Sequence, residues 1–152
     1  MIELLVVNYH YIREEIPKSG IYPITPAFFT KQIDKIASNG YKFITLQDVI
    51  LAVQDIIILP SKSCLITFDD GLRESYEVGL PVLNRKGIQA AFFVISDTLK
   101  SKELIDVHKL HILRSRVNDQ DILEKIKDQV NFDDLDTDAV LDQYPFDNLL
   151  AA

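Results

Sequence analysis

The sequence predicts a parallel α/β domain, either an open sheet or part of an α/β barrel. Three observations lead there. Short apolar runs alternate with helix-length amphipathic segments from Leu4 to Ile95. Each helix-sized connection allows a right-handed crossover between parallel strands. Polar residues collect just past the ends of the runs, where parallel α/β folds bind their ligands.

Leu4-Leu5-Val6-Val7 reads as a first strand buried on both faces. Pro17, Gly20 and Pro23 mark the loop from Tyr11 to Pro23 that follows. Thr25 is placed to cap a helix starting at Pro26, a first-turn position where a missing N–H costs nothing. Phe29, Ile33 and Ile36 keep helical spacing, and Asn39-Gly40 closes the element. Tyr41 to Thr45 reads as the second strand, and Thr45 or Asp48 opens a helix running to about Gln54. Cys64 to Phe68 is the third strand. The spacing of Tyr76, Leu80 and Leu83 predicts a helix over Glu74 to Lys86, bent at Pro81 and ended by Gly87. Ala90 to Ile95 is the fourth strand.

After Lys100 the character changes. Glu103 to Arg116 and Asp119 to Val130 read as helices, the second started by an Asn118-Asp119 cap. From Asn131 to Asp147 aspartates are frequent, apolar residues are sparse and Pro145 interrupts. The division expected is 1–98 for the α/β portion and 99–152 for an acidic helical appendage, either ordered or frayed.

With 152 residues, 47% of them hydrophobic, the chain can build one domain with a real core. Its net charge of −7 argues against nucleic acid or an anionic membrane surface as the main partner. The single cysteine, Cys64, cannot form an internal disulfide and reads as a buried thiol. No apolar stretch reaches spanning length, and Met1-Ile2-Glu3 lacks the basic start of a signal peptide, so the expected compartment is cytoplasmic.

The sharpest local feature is Asp69-Asp70-Gly71 at the end of the third strand. Adjacent carboxylates repel and resist desolvation, and a bound divalent cation would offset that cost. A solvated Asp-Gly turn is the alternative. Successive residues of an extended segment alternate sides, so one carboxylate could hold a cation while the other handles a proton. Gly71 permits the tight exit. His10 after strand one, Thr45 after strand two and Ser96-Asp97 after strand four would share that rim.

Ile66-Thr67-Phe68-Asp69-Asp70-Gly71 resembles the first motif of the polysaccharide deacetylases, the NodB-homology carbohydrate esterases. Leu80-Pro81-Val82-Leu83 and Gly87 to Val94 are similar to the helix and strand that follow in that family, and Asn8-Tyr9-His10 to the end of its first strand. The resemblance runs from about residue 4 to residue 97. It implies a distorted (β/α) barrel that removes acetyl groups from N-acetylated sugars with a divalent cation, often zinc. Carried over, Asp69 becomes the general base and Asp70 a metal ligand, with His10, Thr67 and Gly71 lining the site. The family's second motif, His-Ser/Thr-x-x-His, and its later arginine and histidine motifs are not recognisable. Val107-His108-Lys109-Leu110-His111 spaces its histidines by three rather than four. They share a helix face that could bridge a cation. Otherwise Val107, Leu110 and Leu113 point inward with the histidines at the edge.

Four strands are roughly half of an eight-stranded barrel. The expectation is therefore the N-terminal portion of a deacetylase-like protein with two open sheet edges, zinc held weakly or not at all, and little turnover alone. The competing reading is a non-catalytic module that binds glycan, self-associates or docks with a missing C-terminal half. Magnesium-dependent phosphoryl chemistry is a third reading, disfavoured because His10 rather than an acid ends strand one.

Overall fold

The computed structural model describes residues 3–101, 103–127 and 129. The chain divides into a compact unit through Ser115 and a second unit from Arg116. The acidic stretch from Asn131 to Asp147 and the expected end of the last helix at Val130 lie outside the described residues.

The first unit is built on one parallel sheet. Its strands are β1 (Glu3–Tyr9), β2 (Lys42–Ile44), β3 (Lys62–Phe68) and β4 (Ala90–Phe92). β3 is central. β1 pairs along its whole length, from Glu3 opposite Lys62 to Tyr9 opposite Phe68. The other side of β3 is shared: β2 pairs with Ser63 to Leu65 and β4 with Ile66 to Phe68. Ser63 through Phe68 are consequently all buried, as a continuous apolar run in a parallel sheet demands.

β1 departs from its expected burial on both faces. Leu4 is 41% and Val6 52% exposed, while Tyr9 is buried. Leu4 and Val6 share one face of the strand and Leu5 and Val7 the other, and only the second face packs on the core.

Helix α1 (Pro26–Ser38) starts as its sequence demands, with Thr25 accepting a hydrogen bond from Phe28 N and Pro26 in the first turn. Phe29 and Ile33 carry its buried face onto Tyr9, Ile12, Cys64, Ile66, Phe68 and Leu83. Tyr9 meets Phe29 edge-on with centroids 4.8 Å apart. Helix α2 (Leu46–Val53) opens on a capping box, Thr45 and Asp48 satisfying each other's backbone N–H.

The helix expected from Glu74 to Lys86 is present as a continuous helical stretch, in which a π turn over Ser75–Gly79 runs directly into helix α3 (Leu80–Arg85). The departure from α geometry falls just before Pro81, where Leu80 N donates to Ser75 O across the π turn. β4 ends at Phe92 rather than Ile95, and Ser96 opens a short helix, α4 (Ser96–Ser101). Helix α5 (Asp106–Arg116) follows. In the second unit, helix α6 (Asp119–Ile126) is capped by Asn118, whose side chain accepts from Asp121 N. Among the described residues no helix is long and apolar enough to cross a membrane.

Candidate functional site

The strand β3 delivers Asp69 and Asp70 beside the end of β1. Asp69 N donates to Tyr9 O at 3.2 Å, which ties the two chain exits together. Thr67 is buried and donates its hydroxyl to Asn8 Oδ1 at 2.9 Å. That bond fixes the amide of Asn8, whose Nδ2 donates to Asp69 Oδ2 at 2.8 Å. His10 Nε2 stands 3.9 Å from the same oxygen. Both side chains remain open to solvent, Asp69 at 38% and His10 at 46%. Thr67 thus acts through Asn8, a residue that was read only as part of a strand ending.

Asp70 does point away from Asp69, but not through strand alternation. It adopts φ +69° and Gly71 follows at +64°. For a residue with a Cβ this conformation costs about 1–2 kcal/mol, so neighbouring contacts must hold it. The double left-handed step turns the Asp70 carboxylate out of the strand line. Gly71 is also hemmed in, since a Cβ there would lie 2.9 Å from Val94 Cγ1.

The group that meets Asp70 comes from α5. His108 Nε2 lies 3.0 Å from Asp70 Oδ2, with the two side chains 8% and 19% exposed. One turn on, His111 Nδ1 is 3.0 Å from the Tyr11 hydroxyl. This reverses the helix face expected to turn inward. Val107, Leu110 and Leu113 are 46%, 46% and 43% exposed, while His108 is buried. Ile105, His108, His111, Ile112 and Ser115 form the covered stripe, at helical spacing. The histidines win that face because polar partners wait for them there, Asp70 and Tyr11. The far end of the helix is tied down by Ser19, whose hydroxyl donates to Arg114 O at 2.8 Å. Burial, reinforced by His108 and Arg114, pushes the pKa of His111 below the usual imidazole range against the pull of Asp70. The neutral ring is therefore favoured, the form that can donate a lone pair.

Other expected rim residues are used elsewhere. Thr45 is occupied by its capping box and borders a depression of about 290 Å³ whose lining includes Gln89, Phe92 and Phe93 but neither carboxylate. Ser96 belongs to α4.

One carboxylate and two imidazoles are the donor chemistry of a borderline divalent cation, and fewer than four protein ligands would leave a position open. Asp70 Oδ2 and His108 Nε2 are hydrogen-bonded to each other at 3.0 Å, and would have to part slightly to share an ion between them. Among the described residues no three His, Cys, Asp or Glu side chains already converge on one point. The donors fit in kind, and His111 would have to swing toward Asp70 to complete the set.

A parallel sheet carrying this Asp-Asp-Gly exit matches the polysaccharide deacetylase family model over residues 58–133. The chain belongs to that family. The match extends beyond residue 97 and takes in His108 and His111. A poly-β-1,6-N-acetyl-D-glucosamine N-deacetylase of Staphylococcus epidermidis is 27% identical over 128 residues, 76% of this chain and 43% of that protein. Among solved structures, IcaB from Ammonifex degensii is 36% identical with TM-score 0.56, covering 62% of this chain and 39% of its own. A de-N-acetylase from Aggregatibacter actinomycetemcomitans is 26% identical with TM-score 0.59, covering 67% and 42%. These likenesses bear out the α/β deacetylase fold, as a partial barrel. The chain spans well under half the length of each of these relatives.

Proposed function

We propose that this chain supplies the cation-holding and proton-accepting part of a metal-dependent de-N-acetylase site for N-acetylated sugars, with zinc as the cation. The observation that carries this reading is the Asp70–His108 pairing at 3.0 Å, which joins β3 to a helix 38 residues away. The named activities of the S. epidermidis and A. actinomycetemcomitans relatives support the substrate class.

Asp70, His108 and His111 would hold the ion. When bound, such an ion acidifies water and polarises an acyl oxygen. Asp69 is the proton acceptor: it is exposed, next to the cation ligands in sequence, and oriented by Asn8 and Thr67. His10, 3.9 Å from Asp69, adds a polarisable partner at the mouth. Gly71 lets the backbone turn close beside it. Residues 1–98 constitute the barrel portion in this reading, and helix α5 in the remainder returns the histidines.

A second reading, a non-catalytic module that self-associates or pairs with a complementary half-barrel, is favoured by exposed Leu4 and Val6 on edge strand β1. Zinc titration of the wild type and of Asp70→Ala tests the first: the variant should lose tight uptake, and equal uptake by both would remove Asp70 from the site.

A further inference from the structure

Helix α2 is apolar on two faces, and the fold covers one of them. Val49 and Ala52 pack with Ile44, Leu59 and Leu65. Leu46, Ile50 and Val53, spaced i, i+4 and i+7, form a second stripe that is exposed. A helix apolar all round belongs in an interior. The stripe runs on into the connection to β3. There Ile56 and Ile58 stand out, 62% and 88% exposed, beyond Val53 at 80%. The other end of α2 has the opposite relief. Leu46 borders the depression of about 290 Å³, which Phe92 and Phe93 also line. Its wall is firm, because the Phe92 ring stacks on buried Phe68 with centroids 4.9 Å apart.

We infer that this face of α2 is the contact between two copies of the chain, related by a two-fold axis near Ile50. In such a contact the two helices run antiparallel, so the tip at Ile56 and Ile58 reaches the hollow beside the partner's Leu46, and the reverse. Protrusion and hollow lie at opposite ends of one eight-residue helix, about 12 Å long, which is the relief a two-fold pairing requires. Charge permits the approach. From Leu46 to Pro60 the charged residues are Asp48 and Asp55, and Asp48 is held in the capping box by Thr45. Two chains of net charge −7 can therefore meet here with little like-charge repulsion. The patch is confined to one short helix and its flanks. It falls at the low end of the about 1,200–2,000 Å² of specific interfaces, so the dimer is a weak, exchanging one. The inference is independent of the cation reading, and it uses a different surface from edge strand β1.

Sedimentation velocity of the full chain over a concentration series tests it. The wild type should dimerise with a dissociation constant of about 10–100 μM. Ile58→Gln removes no core contact and should weaken the dimer at least about 100-fold, since each dimer loses two covered side chains. Val6→Lys, on β1, should dimerise as the wild type does. Under mild oxidation Ile50→Cys, on the axis, should give a disulfide-linked dimer, and Ile58→Cys should not, because its two copies lie at opposite ends of the contact. The native Cys64 is buried and stays out of the reaction. A wild type that stays monomeric up to about 1 mM overturns the inference. So does a dimer lost in Val6→Lys but kept in Ile58→Gln, which moves the contact to β1. Cross-linking through Ile58→Cys in place of Ile50→Cys overturns the two-fold. A monomeric chain that floats with phosphatidylcholine vesicles, and no longer does so as Ile58→Gln, assigns the stripe to lipid and overturns the second copy.

Discussion

Replacing Gly20 by alanine should damage the site from a distance. Gly20 has φ +78°, and a Cβ built on it would lie 2.5 Å from Ser115 N and 2.6 Å from Arg114 C. Those atoms are backbone at the end of α5, so no side chain can swing aside. Ordinary contact requires the loop and the helix to separate by about 1 Å. The left-handed conformation costs an alanine about 1–2 kcal/mol, and overpacking adds about 1–3 kcal/mol. Gly40 supplies the control. It has φ +84° and nothing within 4 Å of the same Cβ position, so Gly40→Ala should lose only the conformational part. Urea unfolding of the two variants, read at a common m-value, measures the difference. Gly20→Ala should be less stable than Gly40→Ala by about 1–3 kcal/mol. It alone should also weaken zinc, because the displaced helix end lies one turn from His111. Equal stability of the two variants would refute the close approach that positions α5.

Two further outcomes follow from buried or capped groups. Thr45→Ala removes the capping box of α2 and should cost about 1 kcal/mol by chemical denaturation at neutral pH. Hydrogen bonds from the Thr45 backbone and hydroxyl hold Asp48 below the usual carboxylate range. The box therefore contributes above the unfolded carboxylate pKa and fades as pH falls through the lower folded value, so the gap between wild type and variant should narrow as the solution is acidified past the ordinary carboxylate range. Cys64 is fully buried, and burial pushes its thiol up to about 11. A thiol reagent at pH 8 should label it only on unfolding. Its contribution to stability should be intact below the unfolded thiol pKa and be lost as pH rises toward 11.

Much of the α/β half was legible because its signals are local. The Thr25 cap, Pro26 in the first turn, the Thr45–Asp48 box and the buried run of β3 all depend on residues within a few positions of each other. What escaped depends on neighbours brought from afar. The run Leu4 to Val7 looks like a doubly covered strand, but its burial is decided by what packs on each face, and only Leu5 and Val7 meet the core. The π turn at Ser75–Gly79 has no composition cue beyond a glycine and a nearby proline. On α5 the apolar residues suggested the wrong inward face. The cue that could have corrected it was present: two histidines three apart share a helix face, and a carboxylate pair elsewhere lacked nitrogen partners. A fixed motif spacing of four obscured it. Asp70 in a left-handed conformation was likewise hidden, since an Asp-Gly pair is equally at home in an ordinary turn.

X-ray absorption at the zinc edge of the loaded full chain tests the cation site most directly. Asp70, His108 and His111 acting together should give an oxygen- and nitrogen-only inner shell with outer scattering from two imidazoles, reduced to one ring in His108→Ala. A spectrum without imidazole scattering, or one unchanged by His108→Ala, would contradict the site built here.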